Sequence, residues 1–459
     1  MKKNAIGIFV AIMLLAVILG ACSPKTTTPP SAATTIPTTA ATSTTTKPVT
    51  TPATTTTAAQ QYGGTLRIIT VNSPQALGDP LQVRLFFGSI MAFIPCLESI
   101  IVFDNGGVPH GVLAESWTTA ENKSSITFNL RKNVKFHDGT PFNAAAAKWN
   151  LDRMLSANVS TTATWSGIDV VDDYTIRINL KSYMNTILNG LEGTTGLMIS
   201  PTAFKANGAE WAKTHAVGTG PYKLSSFVPD TSVDYVRFED YWGGRPFLDG
   251  VKFIVIADAT TAQMTFLAGQ ADVLASSSDA NTADLASKGY KVETRPAASM
   301  VLLPDSIHPA SPLSKLQVRQ AISYSIDNTA IAKAFGYGYW IPATQLAAPQ
   351  QFGYVPNLGY QPINIEKAKQ LLTAAGYENG FTTKLITSSA LANDPLVSIQ
   401  NYLKAVNITA TIETNSQAAW NDMAIKGWDS GMMWITLGAT DTNYGSYLDR
   451  YFGALSIYY

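Results

Sequence analysis

The sequence predicts a mixed α/β chain of two lobes, and three observations carry that prediction. Of its 459 residues, the first 61 read as a leader and a tether. About 400 remain, enough for two domains at roughly 100–200 residues each. Alternating apolar patterns dominate the first half of the remainder, whereas helix-length patterns with short interspersed strands dominate the second. Val251 to Ile256 is nearly continuous apolar, β-branched sequence, as in a strand covered on both faces. It runs straight into Asp258-Ala-Thr-Thr and a helix ending at Gly269.

The elements follow in order. Lys2 and Lys3 form a positive n-region, Ile6 to Leu19 an apolar h-region, and small residues precede Cys22. This is the layout of a cleavable signal peptide over residues 1–22. Leu19-Gly20-Ala21-Cys22 resembles the bacterial lipobox, which implies that the Cys22 thiol is lipidated and becomes the mature N-terminus. The alternative is an uncleaved anchor: the uncharged stretch from Asn4 to Ser23 is just long enough, given that a span needs roughly 20 apolar residues. Either way the rest of the chain lies outside the cytoplasm. Residues 23–61 are almost all Thr, Ala, Pro and Ser, with Lys25 and Lys47 as their charges. Such a stretch buries too little apolar surface to offset its ordering entropy, and is expected to be an extended leash.

Thr65 to Thr70 alternates as a first strand, and Val108 to Trp117 reads as an irregular connection. Ile126, Phe128 and Leu130 mark a half-buried strand. Asn143 is placed to N-cap an alanine-rich helix over Ala144 to Leu155, and Tyr174 to Leu180 is another strand. Tyr222 to Phe227 and Val233 to Phe238 bracket a Pro229-Asp230 turn and predict a hairpin. Later come a helix from Leu316 to Phe335 stopped by Gly336, and one from Asn364 to Ala375 followed by Gly376. Strands are expected at Thr382 to Ile386 and Ile408 to Ile412.

Composition narrows the function. Thirty-two basic residues balance 32 acidic ones, and charged residues make up 14% of the chain against a typical ~25%. No basic stripe supports a nucleic-acid partner, and the tether has no Lys/Arg cluster for lipid headgroups. Cys96 is the one cysteine beyond Cys22 and sits in the apolar run Ile94 to Ile101, as a small buried hydrophobe does. Nine Trp and nineteen Tyr supply the core and also suit a pocket for organic solutes. HExxH, GxSxG, Walker and CxxC patterns are absent, and His110, His137, His215 and His308 are dispersed. Gly218-Thr-Gly-Pro221 reads as a turn, because Pro221 removes a donor and a strand follows. Asp172-Asp173 reads as a solvated pair before a strand. Neither an enzyme nor a cofactor or metal site is predicted.

Four sets of runs carry a resemblance: Gly111-Val-Leu-Ala-Glu-Ser-Trp117 with Thr127 to Arg131 and Val134 to Phe142; Val217 to Lys223 with Asp240 to Gly244 and Leu248 to Val251; Val318 to Asp327; and Glu366 to Leu372 with Ala375-Gly-Tyr377 and Gly380-Phe381. In order and spacing they resemble the solute-binding lipoproteins of ABC importers, in the large peptide-, nickel- and oligosaccharide-binding class known as family 5. The resemblance implies a two-lobed periplasmic-binding-protein-like fold with an extra subdomain in the first lobe and a hinge between lobes. On that basis the first lobe spans 62–290, with the inserted subdomain at about 90–205, and crossover strands near Ala280 to Met300 carry the bending. The second lobe spans 291–459. Family members continue well beyond a point like Arg450-Tyr451 and return to the first lobe, so a chain stopping at Tyr459 reads as a fragment lacking that return.

The same resemblance implies a lipid-anchored monomer outside the cytoplasmic membrane, in the periplasm or at the cell surface. It would close on a small organic solute and deliver it to an ABC permease complex in the membrane. A ligand sensor without transport is the alternative within binding proteins, and a secreted hydrolase the alternative outside them. For the site, the resemblance points to Trp434 and Trp420 as pocket aromatics and to Glu98 on the first lobe's side. In peptide binders an aspartate three residues after the tryptophan holds the peptide's α-ammonium; here that position is Leu437, and the next acid is Asp441. A buried ammonium without a carboxylate costs several kcal/mol, so a ligand without an essential free α-amine is expected. The aromatic loop with Tyr337, Tyr339 and Trp340 is a further candidate wall.

Overall fold

The computed structural model describes residues 61–438, apart from 75, 83–92, 105–106, 276–277, 295–297, 350–352, 359–361 and 390. Three main sheets organise the described residues. In the first, five strands lie in the order Tyr222–Val228, Ser232–Arg237, Gly250–Val255, Thr65–Thr70 and Val273–Leu274. Thr65–Thr70 runs parallel to both of its neighbours, with Ile68 opposite Phe253 on one side and Val273 on the other. The helix Ala259–Leu267, capped by the Asp258 side chain on the Thr261 amide, links those two neighbours, so the strand-to-helix unit predicted at Val251 is one half of a parallel crossover. The predicted hairpin is present, with Phe227 opposite Val233.

The second sheet is antiparallel: Ala114–Thr119, Ser125–Leu130, Thr175–Leu180 and Trp165–Asp172, in that order. Ile126, Phe128, Ile176 and Ile178 point into a core closed by the helix Ala144–Ser156, whose Asn143 accepts from the Ala146 amide as expected. The stretch read as irregular, Val108 to Trp117, instead holds the strand Pro109–Gly111 and the start of Ala114–Thr119. A register shift between Ala114 and Ser116 in this strand breaks the period-two signal that would reveal it.

The third sheet orders Ala298–Pro304, Gly431–Gly438, Phe381–Ser388 and Ile408–Asn415. Its last two strands are parallel and joined through the helix Asp394–Lys404, while Ala298–Pro304 is antiparallel to Gly431–Gly438. Both faces of the Gly431–Gly438 strand are covered. Met432 and Trp434 enter the core packed under the helices, and Met433, Ile435 and Leu437 enter the core on the opposite face.

The single helix expected over Leu316 to Phe335 is two, Leu316–Ser325 and Asn328–Phe335. Ile326 and Asp327 are extended, and the Asp327 carboxylate accepts from the Ala330 amide at 2.8 Å, restarting the helix as an N-cap. The region expected to hold crossover strands near Ala280 begins with a helix, Asp279–Ser287, capped by Ser278; extended structure starts at Ala298. That helix is tied to the first sheet's side of the molecule by the Gln263 amide, which donates to Asp284 at 2.7 Å.

Candidate functional site

Between the first and third sheets lies a cleft of about 1530 Å³. Leu66, Ile68, Asp272 and Asp279 line it on the side of the first sheet, and Met300, Leu302, Tyr339, Trp340, Tyr354 and Trp434 on the side of the third. The wall is rich in rings and aliphatic chains, and its charges are mostly spent. Arg67 grips Asp272 with Nη2 to Oδ1 at 2.7 Å and Nε to Oδ2 at 3.1 Å. Lys291 pairs with Glu293 at 2.6 Å, and Arg319 Nη1 donates to the carbonyls of Leu313 and Ser314.

The aromatic arm is built by a tight reversal after the helix Asn328–Phe335. Tyr337 and Gly338 both have positive φ, +49° and +91°, and the Tyr339 amide donates to the Gly336 carbonyl at 2.7 Å. A Cβ on Gly336 would stand 2.4 Å from the Trp340 Cβ, so only glycine lets the Trp340 side chain fold back here. Trp340 then reaches across the cleft, its Nε1–H donating to Asp279 Oδ2 at 2.7 Å.

The expected site residues separate. Trp434, Tyr339 and Trp340 line the cleft. Trp434 does so as a member of the core that also holds Leu385, Ile399 and Met432, with only 6% of the residue exposed, and its Nε1 has no hydrogen-bond partner among the described residues. Trp420 is placed elsewhere: it sits on the helix Gln417–Lys426 and packs on the sheet face holding Met433 and Ile435. Tyr337 is 58% exposed and outside the cleft, because its left-handed backbone turns it to solvent. Leu437 is fully buried on the face opposite Trp434, three residues being an odd step along a strand. Cys22 and Asp441 lie outside the described residues. Asp279, on a helix that sequence reading missed, was signalled by Ser278 preceding Asp279-Ala-Asn, an N-cap pattern.

Glu98 also lies away from the cleft lining. It belongs to a polar knot around Gly218-Thr219-Gly220. Its Oε2 accepts from Thr219 Oγ1 at 2.8 Å and Trp242 Nε1 at 2.9 Å, and its Oε1 from the Tyr241 hydroxyl at 2.7 Å. Burial pushes the Glu98 carboxyl up to about 7, against the opposite pull of those three donors. On the loop's other side, His137 Nε2 donates to the Gly220 carbonyl at 2.8 Å, and its Nδ1 accepts from the Gly218 amide at 3.3 Å. Burial lowers His137 to about 4. Cys96 Sγ lies 3.6 Å from the same Nδ1, but burial pushes this thiol up to about 12. A nucleophilic pair needs an accessible thiolate beside a protonated imidazole; this pair is arranged the opposite way. Its role is to hold the glycine loop against the first lobe.

Comparison with known proteins gives the following. The sequence profile of bacterial extracellular solute-binding proteins, family 5 Middle, matches residues 108–457. The glutathione-binding protein GsiB of Shigella flexneri is 33% identical over 316 residues, 66% of this chain. The matched part spans 60% of that relative's length. Among solved structures, HbpA2 from Haemophilus parasuis is similar with a TM-score of 0.75 at 24% identity, covering 86% of this chain and 84% of that one. An ABC transporter substrate-binding protein from Sinorhizobium meliloti is similar with a TM-score of 0.69 at 26% identity, covering 84% and 81%.

Proposed function

Because the chain belongs to the bacterial extracellular solute-binding proteins of family 5, we propose that it captures an organic solute between its two lobes and delivers it to an ABC permease complex. The observation that carries this reading is the cleft itself, about 1530 Å³ and lined from both lobes by rings and aliphatic chains. Its volume suits a solute of peptide or oligosaccharide size. The named relatives support the same direction: one is a glutathione-binding protein and another a substrate-binding protein of an ABC transporter. Closure of the lobes around the solute is part of the proposal.

The solute class follows from the wall. Most described charges in it are already paired, and Leu437 is buried away from the cleft. A peptide-like or oligosaccharide-like ligand that does not depend on a free α-amine fits such a wall. The experiment is native mass spectrometry of the full chain as purified, followed by calorimetry with reduced glutathione and with maltotriose. A retained organic solute of defined mass, or heat from either probe, is the expected result. A chain that retains nothing and responds to neither probe would remove the receptor reading.

In the cell, the proposal places the protein outside the cytoplasmic membrane as a monomer, anchored through lipid on Cys22. Cys22→Ser is expected to move the globular part out of the membrane fraction or to leave an unprocessed precursor. Membrane association and mature mass identical to wild type would rule out the lipid anchor.

A further inference from the structure

We propose that Asp279 is the residue by which the first lobe reads a solute's hydrogen-bond donors, taking a hydroxyl or amide N–H group beside Trp340; this rests on the solute-receptor reading above. Asp279 opens the helix Asp279–Ser287 and faces the cleft. Asp272 is spent on Arg67 and Glu293 pairs with Lys291, whereas Asp279 has no cation within ion-pair distance among the described residues. Its position also suits the helix N-terminus, but that function needs no partner from the other lobe. Here a partner arrives: Trp340, 61 residues on, donates to Oδ2 at 2.7 Å.

That bond occupies one of roughly four acceptor positions on a carboxylate. Oδ1 has no bond among the described residues, in a wall otherwise made mainly of rings and aliphatic chains. The cleft therefore holds unused acceptor capacity on the side of Asp279. A donor-bearing solute on Asp279 would touch Trp340 at the same time, so recognition and contact between the lobes coincide at one carboxylate.

The test is calorimetry of the full chain and its Asp279→Asn variant with reduced glutathione, N-acetylglutathione and maltotriose, with melting temperature as the folding control. If an amide N–H is read, Asp279→Asn weakens glutathione and N-acetylglutathione alike, about three- to tenfold, and N-acetylation by itself leaves wild-type affinity near that for glutathione. If a hydroxyl is read, Asp279→Asn weakens maltotriose about three- to tenfold. In both cases the melting temperature stays near wild type. Unchanged affinity of the variant for every probe that wild type binds overturns the assignment and leaves the receptor reading intact. Wild type binding none of the three also overturns it, and the native mass spectrum then decides the receptor reading separately.

Discussion

Trp434→Ala is expected to cost about 3–5 kcal/mol of second-lobe stability, the range for removing a large aromatic from a packed core. For a lobe of this size, that lowers its melting temperature by roughly 6–20 °C. The residue lines the cleft, yet it belongs to the core that holds Leu385, Ile399 and Met432, on a strand covered on both faces. Its indole N–H is buried without a partner among the described residues, and an unmet donor costs about 1–3 kcal/mol. Trp434→Phe keeps most of the packing and deletes that donor, so it is expected to cost less than about 1.5 kcal/mol. Measuring melting temperature and probe affinity on both variants separates the roles. An alanine variant that melts like wild type but loses affinity would make Trp434 a contact for solute and not a core residue.

The second large effect is a pair of opposing pH dependences in the first lobe. His137, lowered by burial from 6.5 to about 4, stays neutral in the fold while the unfolded chain takes up a proton. Its contribution is therefore lost as pH falls from 6.5 toward 4, by about 3 kcal/mol in full. Glu98, raised by burial from 4.5 to about 7, keeps its proton in the fold while the unfolded chain ionises. Its contribution is present below 4.5 and lost as pH rises through about 7, by a similar amount. Across pH 4.5 to 6.5 the two slopes cancel, and wild-type stability is expected to be nearly flat.

Single variants unmask each slope. Glu98→Gln can place its carbonyl toward Thr219 and Trp242 and its amide toward the Tyr241 hydroxyl, so the knot survives. Its first-lobe stability is expected to rise with pH across that window by about 1.4 kcal/mol per pH unit. His137→Gln keeps a donor for the Gly220 carbonyl and is expected to give the opposite slope. Urea midpoints of the first-lobe transition across the window report both. Two flat variants would show that neither group titrates abnormally in the fold.

Most of the architecture was legible in the chain because it is encoded locally. The strand at Thr65, the capped helix at Ala144, the hairpin about Pro229-Asp230 and the strand-to-helix unit at Val251 each follow from periodicity and end signals within a dozen residues. The runs from Gly111 to Phe381 placed the chain in its family for the same reason: turns and caps recur at fixed spacing. Where local signals were interrupted, reading failed. A register shift hid the strand at Ala114, and Asp327 divided what looked like one helix.

By itself, then, the sequence determined the family, most of the α/β elements and the absence of an acid three residues after Trp434. Tertiary structure alone decided which side chains share a site. Trp420 and Trp434 lie in one lobe but pack on opposite faces of its sheet, a distinction set by how the helix Gln417–Lys426 crosses that sheet. Glu98 became a clasp because Thr219, Tyr241 and Trp242, from 121 to 144 residues away, converge on it. Asp279 faces the cleft because Trp340 meets it from the other lobe. Periodicity specifies which face of an element is buried, but contacts across such separations arise only when whole lobes pack, so no local pattern records them.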